Sequence, residues 1–328
     1  MADRGPAGML QQMAGGYCVA RCLHVVVELG VADALGEKPV DAGTLAEAVG
    51  AHRDALARAL RLLSAHGVFE LHRGRFRHTA ASRLLREDHP ESMRPLVRLF
   101  GLPLCWDAYG VLGHSLRTGR PSTELLQPQG LEGWLGHAPE AANILEAAKS
   151  AYARRQVAAV LAAYDFSGFE MIGALDGCGG RLLRAVLQAC PNTKGILLGA
   201  SPPSAPVEPQ PRMTCQDVDC FRDPLPSCGA YLLMDALQEW DDDQAIAAMK
   251  AVRRAAPSGA TLLLVEAVMS DVRGADWSHL LDLHRLALFG GRQRTRDECA
   301  YLLRSAGFLL VREVETPGEV SILESRAT

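Results

Sequence analysis

The stretch from Phe169 to Pro191 contains the residue types that a nucleotide site needs. It begins as an apolar strand, turns through the glycine-rich segment Asp176–Gly180 and continues as a helix with leucine and valine on one face. Glycines allow the backbone to approach a ligand, and the first turn of a helix offers free N–H groups to bind it. A strand, a glycine turn and a helix in this order are typical of the opening unit of a Rossmann-like domain. The stretch therefore predicts such a site.

The composition excludes several other functions. The chain has 328 residues, of which 48% are hydrophobic, and a formal net charge of −4. This length favours about two domains, and an acidic balance argues against a nucleic-acid partner, whose phosphates would have to be neutralised. No apolar run is long enough to span a membrane, and the N-terminal residues do not resemble a signal peptide. We therefore expect a cytoplasmic protein that binds neither nucleic acid nor a membrane.

The nine cysteines do not form a metal-binding pattern. They are scattered along the chain without a CxxC pair. Cys18 and Cys22 lie one helical turn apart, but no second pair of cysteine or histidine completes a zinc spacing. We expect free thiols and no metal site.

The first third of the chain predicts a helical domain with a winged helix. Residues 8–36 have helical periodicity, and Gly30 divides them into two helices. A short helix, a longer helix from Arg53 to His66 and a hairpin turning at Arg73–Gly74 follow. The longer helix is mostly apolar and leaves only a narrow exposed face. We therefore interpret the winged helix as a dimerisation module rather than a DNA-binding one.

The rest of the chain predicts an α/β domain with a mostly parallel sheet and an antiparallel end. Residues 87–165 are helical, with a proline- and glycine-rich interruption at 117–130. Strands then alternate with helices, and the predicted domains are residues 1–100 (winged-helix dimerisation), 101–164 (helical linker and substrate roof) and 165–328 (Rossmann-like). The predicted strands lie at 195–200, 229–237, 260–268 and, as a closing hairpin, 308–325, and the predicted helices at Asp243–Ala256 and Arg296–Ala306.

Seven motifs spread along the chain identify a family. They are ELGVADAL, RALRLLSAHGVF, AAYDFSGF, YLLMDALQEWDDD, LLLVEAV, LLDLHRLALFGGRQRT and SAGF. By these motifs the chain resembles, along its whole length, the two-domain, dimeric O-methyltransferases of secondary metabolism, which include hydroxyindole, caffeate and polyketide O-methyltransferases. The resemblance implies a homodimer formed through the N-terminal domain and a class I methyltransferase domain that binds S-adenosylmethionine. It also implies a natural-product intermediate held between the two domains and a histidine that acts as general base.

The cofactor positions implied by the resemblance are only partly kept. Ala174 stands where the family has the acid of its glycine motif, and Gly199 stands where an acid grips both ribose hydroxyls. Asp176 replaces the first glycine of the turn and Cys178 another. In an alternative frame, shifted by two residues, Asp176 is itself the acid of the motif and the following helix shifts with it. Unpaired buried hydroxyls cost about 1–3 kcal/mol each, so we expect weak cofactor binding or none. The cofactor positions that keep the family's residue are Gly177, Gly180 and Asp219.

The catalytic positions depart as well. Gln238 stands at the position of the general base, and its amide has no proton that titrates near neutral pH. Of the two acids that orient the family's histidine, Glu266 is kept and the other is Gln293. His284 and Asp235 are candidates for a replacement acid or base, although His284 also fits a purely structural role. The four catalytic candidates are Gln238, His284, Glu266 and Asp235.

The resemblance also places a set of side chains around the substrate. They belong to the segment before the proline-rich interruption, to the long helix after it and to the block that follows Gln238. The predicted substrate-pocket residues are Trp106, Tyr109, Ala148, Lys149, Tyr152 and Trp240.

Taken together, the departures favour an enzyme that has the methyltransferase fold and no longer methylates. A shaped cavity with oriented hydrogen-bond donors suffices for a cofactor-independent cyclisation or isomerisation of a biosynthetic intermediate. Two alternatives stay open. One is an S-adenosylmethionine-dependent O-methyltransferase with an unusual site, since positioning alone supports methyl transfer to an acidic phenol. The other is a non-catalytic dimeric partner.

Overall fold

The computed structural model describes residues 5–127, 129–176, 180–199, 211–270 and 277–328. The chain forms two compact units. The first consists of Met1–Asp107 and Leu135–Ala151, and the second of Ala108–Trp134 and Tyr152–Thr328. The predicted boundaries at residues 100 and 164 stay a prediction.

The N-terminal segment folds as a winged helix preceded by helices. Buried side chains of the third and fifth helices pack with those of the small sheet, among them Val31, Leu60 and Phe69. The sheet has the order β1-β3-β2 and is antiparallel. Its elements are α1 (Gly5–Ala14), α2 (Gly16–Glu28), α3 (Val31–Leu35), β1 (Val40–Asp41), α4 (Ala42–Ala48), α5 (Arg53–Ala65), β2 (Phe69–His72) and β3 (Arg75–His78).

A run of helices follows the winged helix. The longest of them has small residues, mainly alanine, at most of its buried positions, including Ala148 and Ala153. Small side chains permit close packing on several sides of one helix. The helices are α6 (Ala80–Arg83), α7 (Arg94–Gly101), α8 (Pro103–Gly110), α9 (Leu112–Thr118), α10 (Ser122–Leu126), α11 (Gly130–His137) and α12 (Pro139–Ala163).

The second unit is built on a seven-stranded sheet of order β6-β5-β4-β7-β8-β10-β9. The five strands from β6 to β8 are parallel, and β10 is antiparallel to both of its neighbours. The elements are β4 (Met171–Asp176), α13 (Arg181–Ala189), β5 (Lys194–Leu198), β6 (Met213–Gln216), β7 (Ala230–Met234), a 3₁₀ turn (Leu237–Glu239), α14 (Asp242–Ala255), β8 (Thr261–Glu266), α15 (Trp277–Leu288), α16 (Arg296–Ser305), β9 (Phe308–Glu315) and β10 (Ser321–Ala327).

The central strands are buried on both faces. Every residue of β7 and β8 is buried, because helices cover both sides of a parallel sheet. The strand order reverses at β4, which has β5 on one side and β7 on the other. The carboxyl ends of β4, β5 and β7 therefore form the kind of edge where open α/β sheets bind ligands.

The predicted fold class is confirmed, with three local differences. Gly15 and Gly16 interrupt the N-terminal helical stretch, so it forms three helices instead of two. Strand β6 was not predicted because it has four residues, three of them exposed, and lacks an apolar pattern. Helix α15 was not predicted either, although LLDLHRL has apolar residues at helical spacing.

The sheet core allows a direct test of stability. Leu264 on β8 is fully buried, so Leu264→Ala should lower the free energy of unfolding by about 2–5 kcal/mol through the lost contacts and the cavity left behind. Leu309 on the edge strand β9 is 60% exposed, and Leu309→Ala should change it by less than about 0.5 kcal/mol. Urea denaturation followed by circular dichroism measures both. Equal losses for the two variants would contradict this assignment of the core.

Candidate functional site

The first feature of the site is the turn that follows β7, residues 235–240. Asp235 has a φ of 53°, a left-handed conformation that is unusual for a residue with a side chain. Glu266, at the end of the neighbouring strand β8, binds this turn: its Oε1 accepts hydrogen bonds from the backbone N–H groups of Ala236 at 3.0 Å and Leu237 at 2.9 Å. Glu266 therefore fixes the backbone from which Gln238 projects.

Arg294 binds the same turn from the other side. Its guanidinium donates to the backbone carbonyls of Leu237 and of Trp240, the latter at 2.7 Å, and pairs with Asp242 at 2.8 Å. The Arg294 side chain is 3% exposed, so its charge is satisfied almost entirely by these partners. Gln238 adds a bond within the turn, from its Nε2 to the carbonyl of Asp235 at 3.0 Å.

A glycine pair brings a loop against this turn. Gly290 has a φ of +77°, which favours glycine. At Gly291 a Cβ would lie 2.3 Å from the carbonyl oxygen of Gln238, closer than any real contact. The loop is also tied to helix α15, because the N–H of Gln293 donates to Asp282 at 2.8 Å. Only glycine fits position 291.

The amide of Gln293 has two orientations with different partners. In one, its Nε2 donates to Oε1 of Gln238 at 3.4 Å. In the other, its Nε2 donates to the carbonyl of Ala267 at 3.0 Å and its Oε1 accepts from Nε of Arg285 at 2.8 Å. We assign the second, because it satisfies both ends of the amide with shorter bonds. Gln293 therefore connects β8 to Arg285.

His284 lies on α15 and is 5% exposed. Its Nδ1 and the Tyr109 hydroxyl share a hydrogen bond of 3.4 Å, and the two rings stack with centroids 6.0 Å apart. Burial, with a smaller effect of the Arg285 charge, lowers the pKa of His284 to about 4. The imidazole is therefore neutral at pH 7 and is a weak base.

The remaining catalytic candidates and Tyr152 lie in the same region. Burial, reinforced by the charge of Asp235, raises the pKa of Glu266 well above its usual range. The same two causes, burial first and the Asp235 charge second, raise the pKa of the half-buried Tyr152. Asp235 itself is 7% exposed. All four catalytic candidates thus belong to the second unit. Asp235 and Gln238 lie in the turn after β7, and Glu266 binds that turn from β8.

Two of the predicted cofactor residues, Gly180 and Asp219, follow the carboxyl ends of the parallel strands β4 and β6. Gly180 is the N-terminal cap of α13 with a φ of 76°, and a Cβ there would come within 2.9 Å of Leu197. Gly199 directly follows β5, and a Cβ there would meet no atom of the described residues within 4 Å. Gly177 lies outside the described residues.

Asp219 and Trp240 follow the carboxyl ends of β6 and β7. The Asp219 side chain is 38% exposed and accepts a hydrogen bond from the N–H of Phe221 at 2.9 Å. The ring of Phe221 packs edge-on against Trp240, with centroids 5.5 Å apart. Trp240 therefore contacts the segment that carries Asp219, one of the predicted cofactor residues.

Three of the predicted pocket residues belong to the first unit. Trp106 donates its Nε1–H to Nδ1 of His24 at 3.3 Å, and the Arg21 guanidinium lies 5.3 Å from its ring centre. Ala148 is buried on α12. Lys149 is 55% exposed and lies 3.8 Å from Glu146.

The chain belongs to the O-methyltransferase family of enzymes. Residues 112–309 match the O-methyltransferase domain, and residues 11–88 match the O-methyltransferase dimerisation domain. The phenazine O-methyltransferase PhzM of Lysobacter antibioticus is 33% identical, over 98% of this chain and 96% of its own. The mitomycin biosynthesis 6-O-methyltransferase of Streptomyces lavendulae is 35% identical, over 94% of this chain and 90% of its own.

A solved methyltransferase structure is similar to this chain over almost its whole length. The methyltransferase CalO1 of calicheamicin biosynthesis, in its S-adenosylhomocysteine-bound form, has a TM-score of 0.90 and 27% identity, over 98% of both chains. The class I methyltransferase fold expected from the sequence is confirmed.

The expectation of an enzyme that no longer methylates, and that catalyses a cofactor-independent cyclisation or isomerisation, is wrong. Relatives that align with almost the whole chain are named O-methyltransferases. The expectation was wrong because the substituted positions Ala174, Gly199 and Gln238 were each interpreted as the loss of a function. In the structure, Glu266 and Arg294 bind the turn that carries Gln238.

Sequence reasoning missed two of the side chains that build the site. Arg294 was overlooked, although a buried arginine after a glycine pair (GGRQR) indicates a residue that binds backbone carbonyls. Arg285 was overlooked as well, although it interrupts the apolar run LLDLHRLALF.

Gly291→Ala tests the contact with the turn. The new Cβ must displace the Gln238 backbone, so we expect a loss of about 1–3 kcal/mol in the free energy of unfolding. Gly168→Ala is the control, because a Cβ there meets no atom within 4 Å and its backbone is not left-handed. Urea denaturation measures both. A Gly291→Ala protein as stable as the control would show that the loop does not press on the turn.

The low pKa of His284 can be measured by nuclear magnetic resonance. The ring signals, assigned by their loss in His284→Gln, should shift with a midpoint near pH 4, whereas an ordinary histidine titrates near pH 6.5. Because the unfolded chain binds the proton more readily, the wild type should lose stability relative to His284→Gln as the pH falls from about 6.5 towards 4. A midpoint near pH 6.5 would refute the buried, neutral imidazole.

Proposed function

We propose that the protein is an S-adenosylmethionine-dependent O-methyltransferase that methylates a hydroxyl of a natural-product intermediate. The observation that carries the proposal is the alignment, over almost the entire chain, with enzymes named O-methyltransferases of phenazine and mitomycin biosynthesis. The retained supports of the turn after β7 agree with it. A change at the base position leaves an enzyme that binds its acceptor and catalyses by orientation.

The described residues fit the cofactor with one anchor fewer than the family uses. Gly180 permits close approach to the N-terminus of α13, and no atom of the described part of the chain fills the space beside Gly199 at the end of β5. Asp219 is exposed enough to accept a hydrogen bond from the adenine. No carboxylate follows β5 directly to hold the ribose, so we expect weaker binding than an acid at residue 199 would give.

The protein's own residues then orient the acceptor. S-Adenosylmethionine, when bound, supplies the methyl group. Gln238 is held by its turn and has a second amide hydrogen to offer to the acceptor oxygen. Glu266 and Arg294 keep that turn rigid, and His284, neutral and stacked on Tyr109, contributes a fixed polar wall. These groups position the oxygen, and the hydroxyl loses its proton to the solvent before the transfer.

We further propose that the protein acts as a homodimer through its first unit. An apolar groove of about 860 Å³ runs along α2 and α5, lined among others by Tyr17, Val25 and Leu29. These three side chains are exposed large hydrophobic residues, and the dimerisation-domain match covers them. A second copy of the chain is the occupant that would bury them. Among the described helices none has the length and apolar character needed to cross a membrane.

The experiment that tests the function is a transfer assay. The purified protein is incubated with methyl-labelled S-adenosylmethionine and a panel of phenols and hydroxyquinones, and labelled ethers are identified by mass spectrometry. We expect transfer to at least one acceptor and none in heat-denatured protein. A complete absence of both transfer and S-adenosylmethionine binding would contradict the proposal.

Restoring the missing anchor gives a gain-of-function prediction. Gly199→Asp places a carboxylate at the end of β5, where a Cβ meets no atom among the residues that the structure describes. Its hydrogen bonds to the ribose should tighten S-adenosylmethionine binding about tenfold, measured by calorimetry. Gly168→Asp adds the same charge at another open glycine and should leave the affinity unchanged. Unchanged or weaker binding by Gly199→Asp alone would show that the cofactor ribose does not lie there.

A further inference from the structure

The side-chain oxygens of Gln238 and Gln293 face each other. Gln293 donates from Nε2 to the carbonyl of Ala267 and accepts at Oε1 from Arg285. Its Oε1 then lies about 3.4 Å from Oε1 of Gln238, the distance that its Nε2 has in the opposite orientation. Gln238 cannot turn its amide to relieve this contact, because its Nε2 donates to the carbonyl of Asp235 at 3.0 Å. Two hydrogen-bond acceptors therefore lie side by side.

Both of these amides are buried. Gln238 is 7% exposed and Gln293 is 3% exposed. With Gln293 in this orientation, no group of the described residues donates a hydrogen bond to Oε1 of Gln238. Buried carbonyl oxygens nearly always have a donor, because the loss of their hydration is otherwise not compensated. The arrangement therefore favours a small donor that can serve both oxygens.

A small cavity adjoins the two amides. Its volume is about 10 Å³, which is enough for about one water molecule. Besides Gln238 and Gln293, the residues that line it include Glu266, Arg292 and Arg294. A buried water needs about two to four polar partners, and this lining offers amide oxygens as acceptors and guanidinium groups as donors. The positive charge of the two arginines disfavours a cation at the same place.

We propose that this cavity binds one water molecule, which donates hydrogen bonds to Oε1 of Gln238 and Oε1 of Gln293 and holds the Gln238 amide in one orientation. With Oε1 bound by the water and one N–H bound to Asp235, Gln238 keeps its second amide hydrogen for the acceptor oxygen. Gln293 is thereby a positioning residue that acts on Gln238 through the water. Only this role of Gln238 rests on the proposed methyl transfer.

A high-resolution crystal structure of the wild type is the first test. We expect electron density for a water molecule at about 2.5–3.0 Å from Oε1 of Gln238 and from Oε1 of Gln293. The Gln293 amide should at the same time donate to Ala267 and accept from Arg285. No density between the two amides, or a Gln293 amide that donates directly to Gln238, would overturn the inference.

Cys299→Val tests whether the water depends on this cavity. Cys299 lines the cavity and is buried on α16, so the larger valine should displace the water. In nuclear magnetic resonance, the side-chain amide signals of Gln238 are assigned by their loss in Gln238→Met. We expect a dipolar cross-peak between these signals and a long-lived water in the wild type, and its loss in Cys299→Val. Cys299→Ser, which adds no volume, should keep it.

Cys105→Val is the matched control, because Cys105 is also buried on a helix and belongs to the first unit. It should leave the cross-peak unchanged, and circular dichroism verifies the fold of each variant. A cross-peak that persists in folded Cys299→Val, or that Cys105→Val also removes, would overturn the inference. If Cys299→Val does not fold, the wild-type crystal structure decides. A wild type that holds this water and transfers no methyl group would refute the proposed function alone.

Discussion

The site depends on the pair of hydrogen bonds that Glu266 accepts from the backbone of the turn after β7. The adjacent parallel strands β7 and β8 both end at this place, and the carboxylate at the end of β8 fixes the chain that leaves β7. The bonds hold a left-handed Asp235 and direct Gln238 to one place. Arg294 binds two carbonyl groups of the same turn. Backbone N–H groups and backbone carbonyls of the turn are therefore both bound by buried side chains. Such a network rigidifies a site once every member has a partner.

Much of the fold could be predicted from the sequence because its signals are local. The apolar runs of β7 and β8, the glycine turn before α13 and the hairpin at the C-terminus each have a distinct pattern. The short strand β6 has none, and it forms only because β5 offers it an edge. The site was harder to predict. The contacts of Arg294 join residues that are far apart in sequence, and no periodicity indicates which partner a polar side chain finds.

The sequence led to the wrong function for a related reason. Substitutions at Ala174, Gly199 and Gln238 were counted as losses of one mechanism. In the structure they lie at three different places. Ala174 is fully buried in β4, Gly199 directly follows β5, and Gln238 lies in the turn after β7. Methyl transfer to an oxygen needs orientation of the acceptor and an ionised oxygen, and an enzyme base is only one way to obtain the second.

The central claim is that ionisation belongs to the acceptor and that no enzyme base removes its proton. The most direct measurement is the pH dependence of kcat/KM for a series of phenols that differ in acidity. The account predicts that the inflection follows the pKa of each phenol and moves to lower pH as the phenol becomes more acidic. An inflection at one fixed pH for every phenol would report a titrating group of the enzyme and would contradict the account.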